Sequence, residues 1–171
     1  MISKGLAAAI AVAALTGTGY AGYAVYTAGN PDASVVGKVA GTVPLTITST
    51  NGAHAFVVEV ARTSAEQERG LMYRTNIPKD AGMIFAPYPP EGGGPREATF
   101  WMKNTPSPLD IIFIRADGTI ARIAENTVPF SEDRIPSGEP IAAVLELNGG
   151  RAAELGIAEG DKVTWPGQGK N

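Results

Sequence analysis

The chain has 171 residues and a formal charge of −3, and its 14 Lys and Arg residues form no basic run, so the electrostatic footprint of a nucleic-acid-binding surface is missing. It contains no cysteine and a single histidine, His54, which excludes thiol catalysis, disulfides, cysteine-ligated zinc or iron–sulfur centres and any multi-histidine metal site. The 21 glycines and 13 prolines sit largely in short turns, which suits a β-rich domain better than a helical bundle.

Lys4 is followed by an apolar run, and no charged residue appears again before Asp32. This is a basic n-region and an apolar h-region, and Gly22 and Ala24 supply small residues at the positions a signal peptidase reads. The uncharged run of about 27 residues is also long enough to cross a bilayer core of ~30 Å. Tyr20, Tyr23 and Tyr26 would suit the membrane interface. Residues 1–30 are therefore expected to be a signal peptide or, with residues 5–28 retained, a membrane anchor. The remainder would then be periplasmic or otherwise extracytoplasmic. Residues 31–42, with Pro, Asp, Ser and Gly, read as a linker, residues 43–166 as one β-rich domain and residues 167–171 as a tail.

Within the domain, residues 43–50 alternate apolar and hydroxyl side chains, as a half-buried strand does. Asn51-Gly52 is a strong hairpin signal, and residues 53–60 form the partner strand with Phe56, Val58 and Val60 on one face. His54 near the turn reads as a surface residue. The period then changes. Thr63 with Glu66, or Ser64 with Gln67, makes a capping box for a short helix ending near Gly70, with Arg69 in the last turn favourable to the helix dipole. A turn at 76–80 precedes a short apolar strand at 82–86. The glycine cluster in the loop at 87–95 has no Lys-Ser/Thr after it and is no phosphate loop.

Residues 99–103 are expected to be a strand with Thr99, Trp101 and Lys103 on one face and Phe100 and Met102 on the other. Two prolines turn the chain at 104–108. Ile111, Ile112, Phe113 and Ile114 are apolar without alternation, the pattern of a central strand covered on both sides. Residues 119–124 return after a short loop. Residues 126–140 read as a long polar loop of the kind that serves as a binding lid. Residues 141–147 are another doubly covered strand in which Glu146 shares the face of Val144, where a carboxylate is costly without a partner. Asn148 is expected to cap a helix at 149–155, closed by Gly156, before a last strand at 162–165.

Taken in order, Arg69-Gly70-Leu71-Met72-Tyr73-Arg74, Gly82-Met83-Ile84-Phe85, Phe100-Trp101-Met102-Lys103-Asn104-Thr105 with Leu109-Asp110, Val144-Leu145-Glu146-Leu147-Asn148 with Gly150, and Gly160-Asp161 resemble the domain of unknown function 192 family. The resemblance runs from about Val57 to Val163 in unbroken order. It departs at Tyr73, where Phe is usual, and in the insert-like loop at 87–95. It implies small prokaryotic proteins, frequently exported or membrane-tethered, with a mainly β fold. The expected architecture is a single-domain sandwich-like or partly closed barrel of antiparallel strands with two short helices. The family has no established activity, so function must be read from the residues.

Trp101, Lys103, Asn104 and Asp110 gather around the proline-stiffened turn, with Arg69, Arg74 and Glu146 as further candidates. An indole offers a flat apolar platform, and Lys, Arg and Asn offer directional polar contacts. A cleft lined by these residues would make the protein a small-molecule or peptide-binding module of the cell envelope. Asp110 and Glu146 acting as an acid/base pair would instead make it a hydrolase-type enzyme. A third alternative has Lys103 or Arg69 pairing with Asp110 or Glu146 in an assembly factor without a ligand. No arrangement commits to a nucleophile, a metal centre or a cofactor.

Overall fold

The structure is a computed structural model that describes residues 41–169. The expected leader and nearly all of the expected linker lie outside the described residues. Among the described residues no helix is long and apolar enough to cross a membrane.

Among the described residues, nine strands and two short helices follow in the order β1 (Thr42–Ser49), β2 (Gly52–Ala61), α1 (Ser64–Arg69), β3 (Ala81–Phe85), β4 (Arg96–Phe100), β5 (Leu109–Ile114), β6 (Ile120–Ala124), β7 (Ile135–Ile141), β8 (Ala143–Asn148), α2 (Arg151–Leu155) and β9 (Lys162–Thr164). Seven strands form one sheet in the order β6-β5-β8-β3-β2-β1-β9, and β4 and β7 form a separate ribbon. Thr119 bridges to Lys162, and Ile120 N–H donates to the Asp161 carbonyl at 2.9 Å. These contacts bring the two edges together into a nearly closed barrel, which removes most of the unpaired edge. The mainly β expectation holds, with one exception to antiparallel pairing. β2 and β3 run parallel, so the 62–80 segment containing α1 is a crossover connection.

The interior is filled by alternate residues of the strands, among them Leu45, Ile47, Phe56, Val58, Ile84, Ile112, Ile114, Leu145, Leu147 and Val163. A second cluster lies on the outer face of β3, β5 and β8. Met83, Phe85, Ile111, Phe113 and Val144 are covered there by Leu71, Ala98, Met102 and Ile141. This explains why β5 is buried at every position: its apolar run faces the barrel interior on one side and the covering layer on the other.

Several local expectations are corrected. Ser49 pairs with Gly52, so Thr50 and Asn51 make the hairpin turn and Gly52, at φ +134°, opens β2. Residues 126–140 are not a lid: their second half is β7, paired with β4 in a register that sets Pro136 opposite Thr99 and Pro140 opposite Glu97. Proline is tolerated on such a two-stranded ribbon, where many N–H groups need no ladder partner. The strand expected at 99–103 ends at Phe100, because Met102 N–H donates instead to the Ser131 carbonyl at 2.9 Å and Asn104 takes φ +56°. Trp101 and Lys103 therefore project from a turn.

The cap of α2 is also different. Asn148 Nδ2 donates to the Ile77 carbonyl at 2.7 Å, and the N-cap residue, Gly150, has no side chain to offer. Asp110 from β5 takes over this role. Its Oδ1 accepts from Asn126 N–H at 2.7 Å and Gly150 N–H at 2.8 Å, and its Oδ2 from Ala152 N–H at 2.7 Å. A fully buried carboxylate with three backbone donors is well satisfied, and it ties β5, the turn after β6 and α2 together. Asp110→Asn replaces one acceptor oxygen with a donor facing backbone N–H groups. It should cost about 2–4 kcal/mol, read as a lower urea midpoint with an unchanged m-value.

Candidate functional site

A cleft of about 330 Å³ opens where the covering layer is incomplete, between α1 with Gly70 and Leu71 on one side and β4 with Trp101 on the other. Gln67, Arg69, Tyr88, Arg96, Phe100, Trp101 and Thr105 line it, and Glu146 of β8 lies at its floor. The aromatic wall is one packed group, with the Phe100 ring 5.2 Å from Phe85, 5.9 Å from Phe113 and 6.1 Å from Tyr88. The separations lie in the range of favourable aromatic pairs.

Glu146 is 5 % exposed. Leu71 N–H donates to its carboxyl, while Oε2 has no hydrogen-bond partner, and among the described residues it forms no ion pair. Burial pushes its pKa up to about 8, against the opposing pull of the Leu71 N–H. Gln67 presents a second such atom. Its Nε2 donates to the carbonyls of Ala61 at 3.0 Å and Pro87 at 2.8 Å, which fixes the amide orientation, and its buried Oε1 is left without a partner.

Local chain chemistry makes this opening. The Thr63–Glu66 capping box forms as the spacing predicts, starting a helix of only six residues that stops at Gly70. There the backbone takes φ +46° and ψ −136°, and a Cβ would lie 3.1 Å from the Phe85 ring and 3.4 Å from Glu146 Oε2. Only glycine adopts this conformation easily, and its lack of a side chain keeps the space over the carboxyl open. From β3, Gly82 lets β8 approach: a Cβ there would stand 2.2 Å from the Glu146 carbonyl oxygen.

The expected site residues separate. Trp101, Arg69 and Glu146 do line one cleft. Lys103 Nζ lies 4.9 Å and Arg134 Cζ 4.8 Å from the Trp101 ring centroid, a cation–π arrangement that holds the indole in place. Asn104 contributes through its backbone, its carbonyl accepting from Tyr73 N–H at 2.8 Å in a left-handed turn that asparagine tolerates. Arg74 faces away, pairing with Glu59 through Nη2–Oε2 at 2.9 Å and lining a different cavity of about 310 Å³. Asp110 is the α2 clamp. An Asp110/Glu146 catalytic pair is excluded by register: Asp110 pairs with Leu147, and Glu146 with Ile111, so the two carboxylates point to opposite faces of the sheet. The expected pairing of Lys103 or Arg69 with either carboxylate does not occur. Gln67, Gly70, Tyr88, Arg96 and Phe100 are cleft residues that the sequence reading left to capping, loop or core.

The fold and the site can now be set beside known proteins. The DUF192 family profile, described as "Uncharacterized ACR", matches residues 46–165, and the chain belongs to this family. A Sinorhizobium meliloti protein provisionally described as a transcription regulator is 42% identical with a TM-score of 0.69, over 77% of this chain and 99% of that one. A Novosphingobium aromaticivorans protein of unknown function is 50% identical with a TM-score of 0.69, over 83% of this chain and 99% of that one. No curated protein matches.

The pH dependence of stability isolates Glu146. Its folded-state value of about 8 lies above the ordinary 4.5, so between these values the folded chain binds the proton that the unfolded chain has released. Stability from this group is present below the ordinary value and is lost as pH rises towards the folded one, at up to about 1.4 kcal/mol per pH unit. Glu146→Gln should flatten that slope in denaturation series from pH 5 to 8 and be the more stable protein at pH 8.

Proposed function

We propose that this DUF192-family protein is a small-molecule-binding module whose ligand enters the cleft between α1 and β4 and meets Glu146 at its floor. The observation that carries the reading is the partnerless, buried Glu146 Oε2 in an aromatic-walled cleft whose rim is polar. Buried polar atoms are normally paired, and a few unpaired polar groups in an apolar concavity are what fix a ligand's orientation. Arg69 stands at the rim with no ion-pair partner among the described residues, available to a polar group on the solvent side of the ligand. Trp101, steadied by Lys103 and Arg134, supplies the flat wall. The uncharged N-terminal run supports export to, or tethering at, the cell envelope.

A second reading has one specific observation behind it. A carboxyl whose pKa is about 8 sits in the range suited to general acid–base work near neutral pH. With Asp110 on the other face of the sheet, such an enzyme would use Glu146 alone with groups brought by the substrate.

The binding reading is tested by thermal-shift screening of envelope-derived sugars, amino acids, peptides and other small polar molecules. A ligand at 100 times its Kd should stabilise by ~2.7 kcal/mol. Trp101→Ala with Lys103→Ala should retain the far-UV circular dichroism of the parent and lose the ligand-induced shift. A double variant that unfolds would make Trp101 a core residue, and one that keeps the shift would place the ligand elsewhere.

A further inference from the structure

Two side-chain oxygen atoms of residues that line the cleft are left without a hydrogen-bond partner. Glu146 Oε2 and Gln67 Oε1 are both buried without a partner. The Gln67 amide cannot turn its nitrogen inwards, because Nε2 is already committed to the carbonyls of Ala61 and Pro87. Leu71 N–H is the one backbone donor that acts on the Glu146 carboxyl. The charged and titratable groups that line the cleft beside Glu146 are Glu68 and Arg69 of α1, Tyr88 and Glu91 of the 87–95 loop and Arg96 of β4. None of them hydrogen-bonds Glu146, and Arg96 is paired with Glu91 at 2.9 Å.

We infer that the group a ligand sends to this floor is a primary ammonium, donating to Glu146 Oε2 and Gln67 Oε1. This rests on the cleft being the binding site. An ammonium carries three donors and the charge complementary to a carboxylate, whereas a hydroxyl brings one donor and no charge. Tyr88, Phe100 and Trp101 also line the cleft, and aromatic side chains are compatible with a nearby cation. An anionic ligand group would be repelled by Glu146 once that carboxyl is ionised. The same ammonium can come from a simple amine, a free amino acid or a peptide N-terminus, and in the latter two a carboxylate or carbonyl can extend towards Arg69. Binding requires Glu146 to give up its proton, so it is coupled to pH.

Calorimetric titration of the full chain with 2-phenylethylamine, phenylalanine and the dipeptide phenylalanylglycine, against 2-phenylethanol and 3-phenylpropanoate, tests this. The amines should bind at least about tenfold more tightly than the neutral and acidic probes, their rank order telling the three sources apart. The affinity of 2-phenylethylamine, whose ammonium persists across this range, should rise about tenfold per pH unit from pH 6 towards 8 and then level off. That of the dipeptide, whose α-amino group ordinarily titrates at about 7.7–8.0, should peak below pH 8. Glu146→Gln should abolish the preference and the pH slope while 2-phenylethanol still binds. Equal or tighter binding of the neutral or acidic probe overturns the inference and leaves the cleft a binding site; so does amine affinity with no pH dependence. Silence of every probe counts against both.

Discussion

β3, β5 and β8 are apolar on both faces, and the architecture answers to that constraint. A barrel interior alone covers one face of a strand. Burying the other requires a second layer, assembled from Leu71, Met102 and the β4–β7 ribbon rather than from a long helix. Phe85, Phe113 and Val144 on the outer face are as deeply buried as Ile84, Ile112 and Leu145 on the inner one. Each such side chain contributes about 1.5–3 kcal/mol on leaving water, so the covering layer matters to stability much as the interior does. A layer made of short pieces also has seams, and the cleft is one of them.

Glu146 occupies the seam. Its neighbours along the strand, Val144 on the same face and Leu145 and Leu147 on the other, would be matched by an apolar residue at this position without any hydrogen-bonding cost. A carboxyl is instead kept there with its Oε2 bare, and glycine is present above it where a side chain would close the gap. Both choices run against packing, and such departures cluster where a protein does something besides fold. Asp110 shows the contrast. It is equally buried, but three backbone N–H groups surround it, and its contribution is to hold the barrel end shut.

Features that depend on neighbouring residues were legible in the sequence: the β1–β2 hairpin, the Thr63–Glu66 capping box, the doubly covered β5 and the position of Glu146 on the face of Val144. Features that depend on distant pairing were not. β7 is concealed by Pro136, Gly138 and Pro140, which no periodicity argument admits to a strand, yet it pairs with β4. The α2 cap comes from a carboxylate about forty residues upstream, a distance at which local capping rules are blind. Parity within its strand placed Glu146 with Val144. Only the pairing of β5 with β8 reveals that Asp110 lies on the opposite face. Of the candidate residues, Trp101, Arg69 and Glu146 meet in the cleft because their elements fold onto one another.

The parallel pairing of β2 and β3 obliges the chain to leave the sheet and return, and α1 with Gly70 and Leu71 rides on that excursion. One wall of the cleft is therefore made from a connection instead of from the barrel. Its displacement would break the Leu71 and Gln67 contacts and leave every ladder of the seven-stranded sheet intact. Access to the cleft is in this way mechanically separate from the integrity of the barrel. Lifting the six-residue helix would widen the cleft by a local opening, a kind of event that costs less free energy than global unfolding.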